Sequence, residues 1–235
     1  QPAFFKANAL ITSSTFLPEY ASELVHQADE LLDVLLINPD TDDYQYIECR
    51  IITMMQLLEK YVQSKDSDSA LRVYDQLGIL LNRTEDVFKR KLQDYLSLPV
   101  HDRHDDDWSM QSKHEENLSH IKFWQQDYES RIKSQLAVGL AADGQIERAV
   151  QLVEDLKANF LKDINGRRNR FDPLSIISSA NAIAASPQLK DFGFPLFNIS
   201  IRKLALSRGH KNSDTDPVSY FSESVQDSSL SIDEK

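Results

Sequence analysis

The chain contains few residues that interrupt or cross-link a fold. Its 235 residues include only 6 glycines, 8 prolines and a single cysteine, Cys49. So few helix breakers favour long helices over many short strands. One thiol excludes an intramolecular disulfide, and no CxxC or Cys/His metal spacing occurs. We expect Cys49 to be a buried structural thiol, and the lack of disulfides favours an intracellular location.

Several functional signatures are also missing. No apolar run approaches the roughly 18 residues of a membrane span, so no membrane insertion is expected. The net charge of −11 disfavours general binding to polyanions, although acidic surfaces also simply favour solubility. None of the patterns GxSxG, GxGxxG or GxxxxGK[ST] occurs, and no cofactor is implied. The sequence therefore favours a non-catalytic protein, with an enzyme whose site lacks a motif as an alternative.

Apolar residues recur at helical spacing through most of the chain, and no alternating strand pattern occurs. The sequence predicts an all-α fold of about eight antiparallel helices, forming an irregular α-solenoid or a helical bundle. Thr84 is expected to cap one helix, and Asp172 followed by Pro173 to begin another. The predicted organisation is an irregular segment over 1–16, helical hairpins over 17–98, a polar loop over 99–110, hairpins packed on the first half over 111–208, and a disordered acidic tail over 209–235.

The segment from Leu136 to Val153 predicts one helix, a glycine break and a second helix folding back on the first. Gly144 is the expected turn residue. Ala149 is then the small residue at the point where the two helices cross, since a larger side chain would push the backbones apart. Ala70, 79 residues earlier, has similar surroundings, and Lys65 occupies the position that corresponds to Gly144.

This pattern resembles the tetratricopeptide repeat, a helix-turn-helix unit of 34 residues. The resemblance rests on the crossing alanines Ala70 and Ala149 and on the turn glycine Gly144. Leucine replaces the family's second alanine, and its closing proline is absent from both copies. The spacing of 79 residues is not a multiple of 34, which excludes a regular uninterrupted array. The match to pentatricopeptide repeats is comparable, and that resemblance implies RNA binding.

Histidines and carboxylates are dense in one stretch, where a divalent metal is conceivable. His114 and His120 lie six residues apart, so HExxH is not formed, and the aspartate run lacks the alternating oxygens and glycine of a calcium loop. A solvated acidic loop without metal is therefore favoured. The residues concerned are His101, His104, Asp105, Asp106, Asp107, His114, Glu115, Glu116 and His120.

Four residues are candidates for contact with a partner. Arg167, Arg168 and Arg170 form the one basic cluster, which either complements the end of the preceding helix or contacts an anion or RNA phosphate. Trp108 is a possible aromatic anchor. The sequence thus favours a helical scaffold that binds a protein or peptide partner in a groove between helix pairs, with RNA binding as the alternative.

Overall fold

The computed structural model describes residues 2–34, 43–98, 107–165 and 171–207. Within these ranges the chain is helical and contains no strand, which confirms the all-α prediction. If α5, a π-helical turn (Tyr128–Ile132) and α6 are counted as one run, these ranges hold about eight helices, as predicted. A short 3₁₀ turn (Pro18–Tyr20) precedes α2. The α-helices are α1 (Pro2–Phe16), α2 (Ala21–Val34), α3 (Tyr44–Ser64), α4 (Ser67–Ser97), α5 (Asp107–Asp127), α6 (Lys133–Ala142), α7 (Ile146–Asn165), α8 (Pro173–Ala185) and α9 (Lys190–Ser207).

The chain divides into two compact units, residues 1–132 and 133–235. The sequence analysis begins the second set of hairpins at residue 111, after the polar loop 99–110. In the structure α5 packs on α4 and belongs to the first unit. The hydrogen bond from Gln125 Nε2 to Glu85 Oε2 (2.9 Å) contributes to this packing. Of the expected loop, residues 107–110 belong to α5, which begins at Asp107, and residues 99–106 lie outside the described residues.

The first unit consists of consecutive helices that pack on their neighbours, α1 on α2, α3 on α4, and α4 on α5. Two of these helices begin at aspartate caps: Asp43 accepts from Gln45 N (3.4 Å), and Asp66 accepts from Ser69 N (3.1 Å). The core is aliphatic and aromatic. It includes Phe4, Ala7, Ile11, Val25, Ala28, Leu32, Ile47, Ile51, Leu58, Val73, Leu77, Leu81, Phe88, Leu118 and Ile121.

The segment 1–16 was expected to be irregular, but its residues 2–16 form helix α1. Its inward side buries Phe4, Ala7 and Ile11 against α2 and α3. The prediction was wrong because α1 also carries apolar residues on its outward side. Such a helix lacks the single apolar stripe by which an amphipathic helix is recognised.

Thr84 does not cap a helix, contrary to expectation. Helix α4 runs through it without interruption, and its side chain is fully buried. The hydroxyl of Thr84 donates to Leu80 O (2.7 Å), which satisfies it inside the helix.

Helices α4 and α5 approach closely beside the π-helical turn. The ring of Tyr128, the first residue of this turn, stacks on Tyr74 (4.4 Å, 16°), and its hydroxyl donates to Tyr74 O (3.3 Å). A Cβ added at Gly78 would lie 2.5 Å from the Tyr128 hydroxyl oxygen. Glycine at this position therefore makes room for the tyrosine. Burial raises the pKa of Tyr128 to about 12.

The second unit contains the hairpins α6–α7 and α8–α9. Asp172 caps α8 by accepting from Ser175 N (2.9 Å), with Pro173 as its first residue, which confirms the predicted helix start. Lys203 Nζ on α9 lies 2.6 Å from Asp163 Oδ2 on α7, and both side chains are almost fully buried. This ion pair links the two hairpins.

Candidate functional site

The predicted crossing alanines are both buried in helical hairpins. Ala70 is 1% exposed in α4, and Ala149 is 0% exposed in α7. Their backbone N–H groups donate to the carbonyls of Asp66 and Gln145, each at 3.0 Å. Each alanine therefore lies in the first turn of the second helix of its hairpin.

The two hairpin turns have the same backbone geometry. Gly144 has φ +83° and donates to Ala141 O (3.1 Å), while the next residue, Gln145, donates to Leu140 O (2.8 Å). These are the two hydrogen bonds of a Schellman motif, with Gly144 in the left-handed conformation.

Lys65 takes the same role between α3 and α4. It has φ +59° and donates to Val62 O (3.2 Å), and Asp66 N donates to Tyr61 O (2.9 Å). Left-handed residues end roughly a third to a half of all helices, so the shared turn does not identify a repeat family. The resemblance to the tetratricopeptide repeat stays a prediction.

The side chains of the predicted partner-binding residues lie outside the part of the chain that the structure describes. Arg167, Arg168 and Arg170 lie outside the described residues. The backbone of Trp108 belongs to the first turn of α5, but its side chain also lies outside the description. Partner contact at these positions therefore remains a prediction.

The metal hypothesis finds no support among the described side chains. No group of three or more His, Cys, Asp or Glu residues in the described ranges could hold a metal ion. His114 lies edge-on to Phe88 (6.5 Å between ring centroids), and His120 Nδ1 is 4.0 Å from Glu48 Oε1. Residues 101–106, where the predicted cluster begins, lie outside the description.

Several buried and half-buried polar groups of the first unit pair with one another. Tyr61 donates from its hydroxyl to Asp29 Oδ2, and Arg72 forms an ion pair with the same carboxylate. Burial and the hydrogen bond to Asp29 raise the pKa of Tyr61 above its usual value. Arg131 binds Asp127 with two hydrogen bonds of 2.8 Å and also pairs with Glu59. Such mutual pairing is typical of groups that hold helices together.

A groove lies between α1 and α3 in the first unit. Its cavity measures about 370 Å³, within the range of small-ligand sites. We had expected Cys49 to be buried, but it is exposed in this groove, because its position on α3 faces away from the core. The lining residues are Phe4, Phe5, Asn8, Asp43, Gln45, Tyr46, Cys49, Ile52 and Thr53.

The groove is held by contacts between its two helices. Phe4 and Tyr46 meet edge to face at 4.7 Å. Asn8 Nδ2 donates to Gln56 Oε1 (3.3 Å), and Lys60 Nζ at the far end donates to Thr15 Oγ1 (2.8 Å). This groove was not predicted, because α1 was not expected to be a helix.

The surroundings of the groove are acidic and partly apolar. Asp43 is the one charged side chain of its lining, and Phe5 is 73% exposed. Residues 1–132 carry 24 acidic and 13 basic side chains, whereas residues 133–235 carry 13 of each. The whole net negative charge of the protein thus belongs to the unit that contains the groove.

Comparison with protein-family models, curated proteins and solved structures finds no match to this chain. Among the described residues, no helix combines the length and apolar character that crossing a bilayer requires.

Proposed function

We propose that this protein is a non-catalytic helical scaffold that binds a peptide segment of a protein partner in the α1–α3 groove. The observation that carries the proposal is the groove itself, a cavity of about 370 Å³ with aromatic and aliphatic lining. Grooves between helices commonly accept the apolar side chains of peptides.

The chemistry of the groove favours a basic peptide with one large apolar side chain. The ring of Phe5 and the side chain of Ile52 provide apolar contact for such a residue. Asp43 lies in the lining, within a unit that carries 24 acidic and 13 basic side chains. Complementary charge accelerates encounter and suppresses binding of acidic competitors.

The groove can be filled from Cys49 without disturbing the core. We expect Cys49→Trp to occupy the cavity and to weaken peptide binding at least about tenfold, equal to roughly 1.4 kcal/mol. Cys49→Ser is the matched control, because it keeps the space open. A displayed library of random peptides would be selected on the wild-type protein, and affinities of the selected peptides would then be measured on both variants by fluorescence anisotropy.

Enrichment of Lys or Arg beside an aromatic or large aliphatic residue would support the proposal. Peptides that bind Cys49→Trp as tightly as the wild type would overturn it. The alternative of RNA binding is tested with single-stranded RNA of random sequence in a gel-shift titration. If the protein binds RNA and no peptide is selected, RNA binding replaces the peptide proposal. Arg167, Arg168 and Arg170 are then the first candidates for contact with RNA phosphates.

A further inference from the structure

The α1–α3 groove has aromatic walls from its interior to its mouth. Three aromatic residues line the cavity, Phe4, Phe5 and Tyr46. Phe4 is almost fully buried and Tyr46 is half-buried, whereas Phe5 is 73% exposed. The rings of Phe4 and Tyr46 meet at 76° with 4.7 Å between their centroids, so their planes form a corner rather than a flat stack. A cation beside such rings is attracted by the negative charge of their faces.

The charge of the lining also favours a cation. Asp43 lies exposed at the start of α3, where one of its oxygens accepts a hydrogen bond from Gln45 N (3.4 Å). None of the nine described residues that line the cavity is basic. A positive group in the groove is therefore attracted both by aromatic faces and by one carboxylate.

Hydrogen bonding within the lining distinguishes between kinds of cation. Asn8 donates to Gln56 Oε1 and accepts from the hydroxyl of Thr12, each at 3.3 Å. The hydroxyl of Thr53 donates to Cys49 O (2.7 Å). These polar groups therefore already have partners within the protein. A primary ammonium has three N–H donors that need acceptors once water is excluded, whereas a trimethylammonium has none and presents methyl groups to the rings. The lining suits the methylated cation better.

We propose that the α1–α3 groove recognises a trimethylated lysine of its peptide partner. The methyl groups contact the rings of Phe5 and Tyr46, and the positive charge is attracted by Asp43. This inference rests on the proposed binding of a basic peptide and specifies the chemistry of the basic residue. Methylation keeps the charge of lysine, so the attraction to the acidic first unit is retained, while it replaces hydrogen-bond donors with apolar surface.

Three forms of one peptide test the proposal. A peptide selected on the wild-type protein would be synthesised with lysine, with trimethyllysine, or with a neutral isostere in which carbon replaces the ammonium nitrogen, at the position where selection enriches a basic residue. Fluorescence anisotropy should show the trimethyllysine form bound at least about fivefold more tightly than either of the others, because only this form combines a charge with methyl groups. Equal binding of the neutral isostere would overturn the proposal, as would tighter binding of unmodified lysine.

Substitutions in the protein locate the methylated group. Phe5→Leu and Tyr46→Leu keep an apolar side chain but remove an aromatic face, so each should reduce the preference for trimethyllysine over the neutral isostere at least about threefold. Asp43→Asn removes the charge, keeps a side chain that caps α3, and should reduce the same preference. Phe16→Leu is the matched control for Phe5→Leu and should leave the preference unchanged, because Phe16 is 76% exposed on the same helix but does not line the groove. Circular dichroism verifies that each variant is folded.

A probe without a peptide separates this proposal from peptide binding itself. The acetylated amide of trimethyllysine, titrated into isotopically labelled protein, should shift the NMR signals of the side-chain amides of Asn8 and Gln45, which line the cavity. The corresponding lysine amide should shift them less. If selected peptides bind the groove equally in all three forms, methyllysine recognition is refuted and peptide binding stands. If no peptide is selected, peptide binding fails, and unchanged amide signals would refute the ammonium site as well.

Discussion

Placing glycine at Lys65 and lysine at Gly144 should change the stability of the protein in opposite directions. Both have left-handed backbone conformations, with φ +59° and +83°. A residue with a Cβ loses about 1–2 kcal/mol in this conformation relative to the right-handed one. Glycine avoids that strain, but its greater conformational freedom stabilises the unfolded state by about 0.4–1 kcal/mol. Lys65→Gly should therefore stabilise the protein, and Gly144→Lys should destabilise it, each by up to about 1 kcal/mol.

No neighbouring atom obstructs a side chain at Gly144. An added Cβ there would have no atom within 4 Å, so the expected loss comes from backbone strain alone. Thermal unfolding followed by circular dichroism is sensitive enough, because 1 kcal/mol shifts Tm by about 2–4 °C in a protein of this size. The double exchange, Lys65→Gly with Gly144→Lys, should return close to the wild-type stability, since the two turns lie in different units.

Alanine at both positions provides the control for side-chain size. Lys65→Ala should be nearly neutral, because lysine and alanine have the same Cβ strain, whereas Gly144→Ala should destabilise as Gly144→Lys does. Stabilisation by Gly144→Ala, or destabilisation by Lys65→Gly, would refute the assignment of left-handed strain to these turns.

Two further predictions concern buried charge. Removing Asp163 leaves Lys203 buried without its carboxylate and removes the hydrogen bond from Phe171 N to Asp163 Oδ2 (3.3 Å), so Asp163→Leu should destabilise by about 3–5 kcal/mol in urea unfolding. Adding Lys203→Met removes the buried charge and should restore part of the loss, because the hydrogen bond from Phe171 stays lost. Additive losses would contradict this reasoning. Burial lowers the pKa of His114, and repulsion from Lys91 and Lys113 lowers it further. As pH falls below about 6.5, the histidine is protonated more readily in the unfolded state than in the folded state, so the free energy of unfolding decreases. His114→Gln should flatten the pH dependence of Tm between pH 7 and 5, and an unchanged slope would argue against it.

Local chemistry made some of the fold predictable. Gly144 has a positive φ, as its sequence position indicated, and Asp172 caps α8 through its own side chain. Both signals depend on residues within one turn of the helix end. The left-handed conformation of Lys65 was not predicted, because lysine carries no local signal for it; the sequence showed only that Lys65 corresponds in position to Gly144. The left-handed conformation of Lys65 is held by the hydrogen bonds of the turn, from Lys65 N to Val62 O and from Asp66 N to Tyr61 O.

Tertiary packing decided the rest and could not be read from the sequence. Thr84 has the chemistry of a cap, but burial against the core keeps it inside α4. Helix α1 was missed because its two apolar sides cancel the periodic signal. The groove depended on that helix, so Cys49 was assigned to the core when it lines a recess. Errors in the site therefore followed from the error in α1.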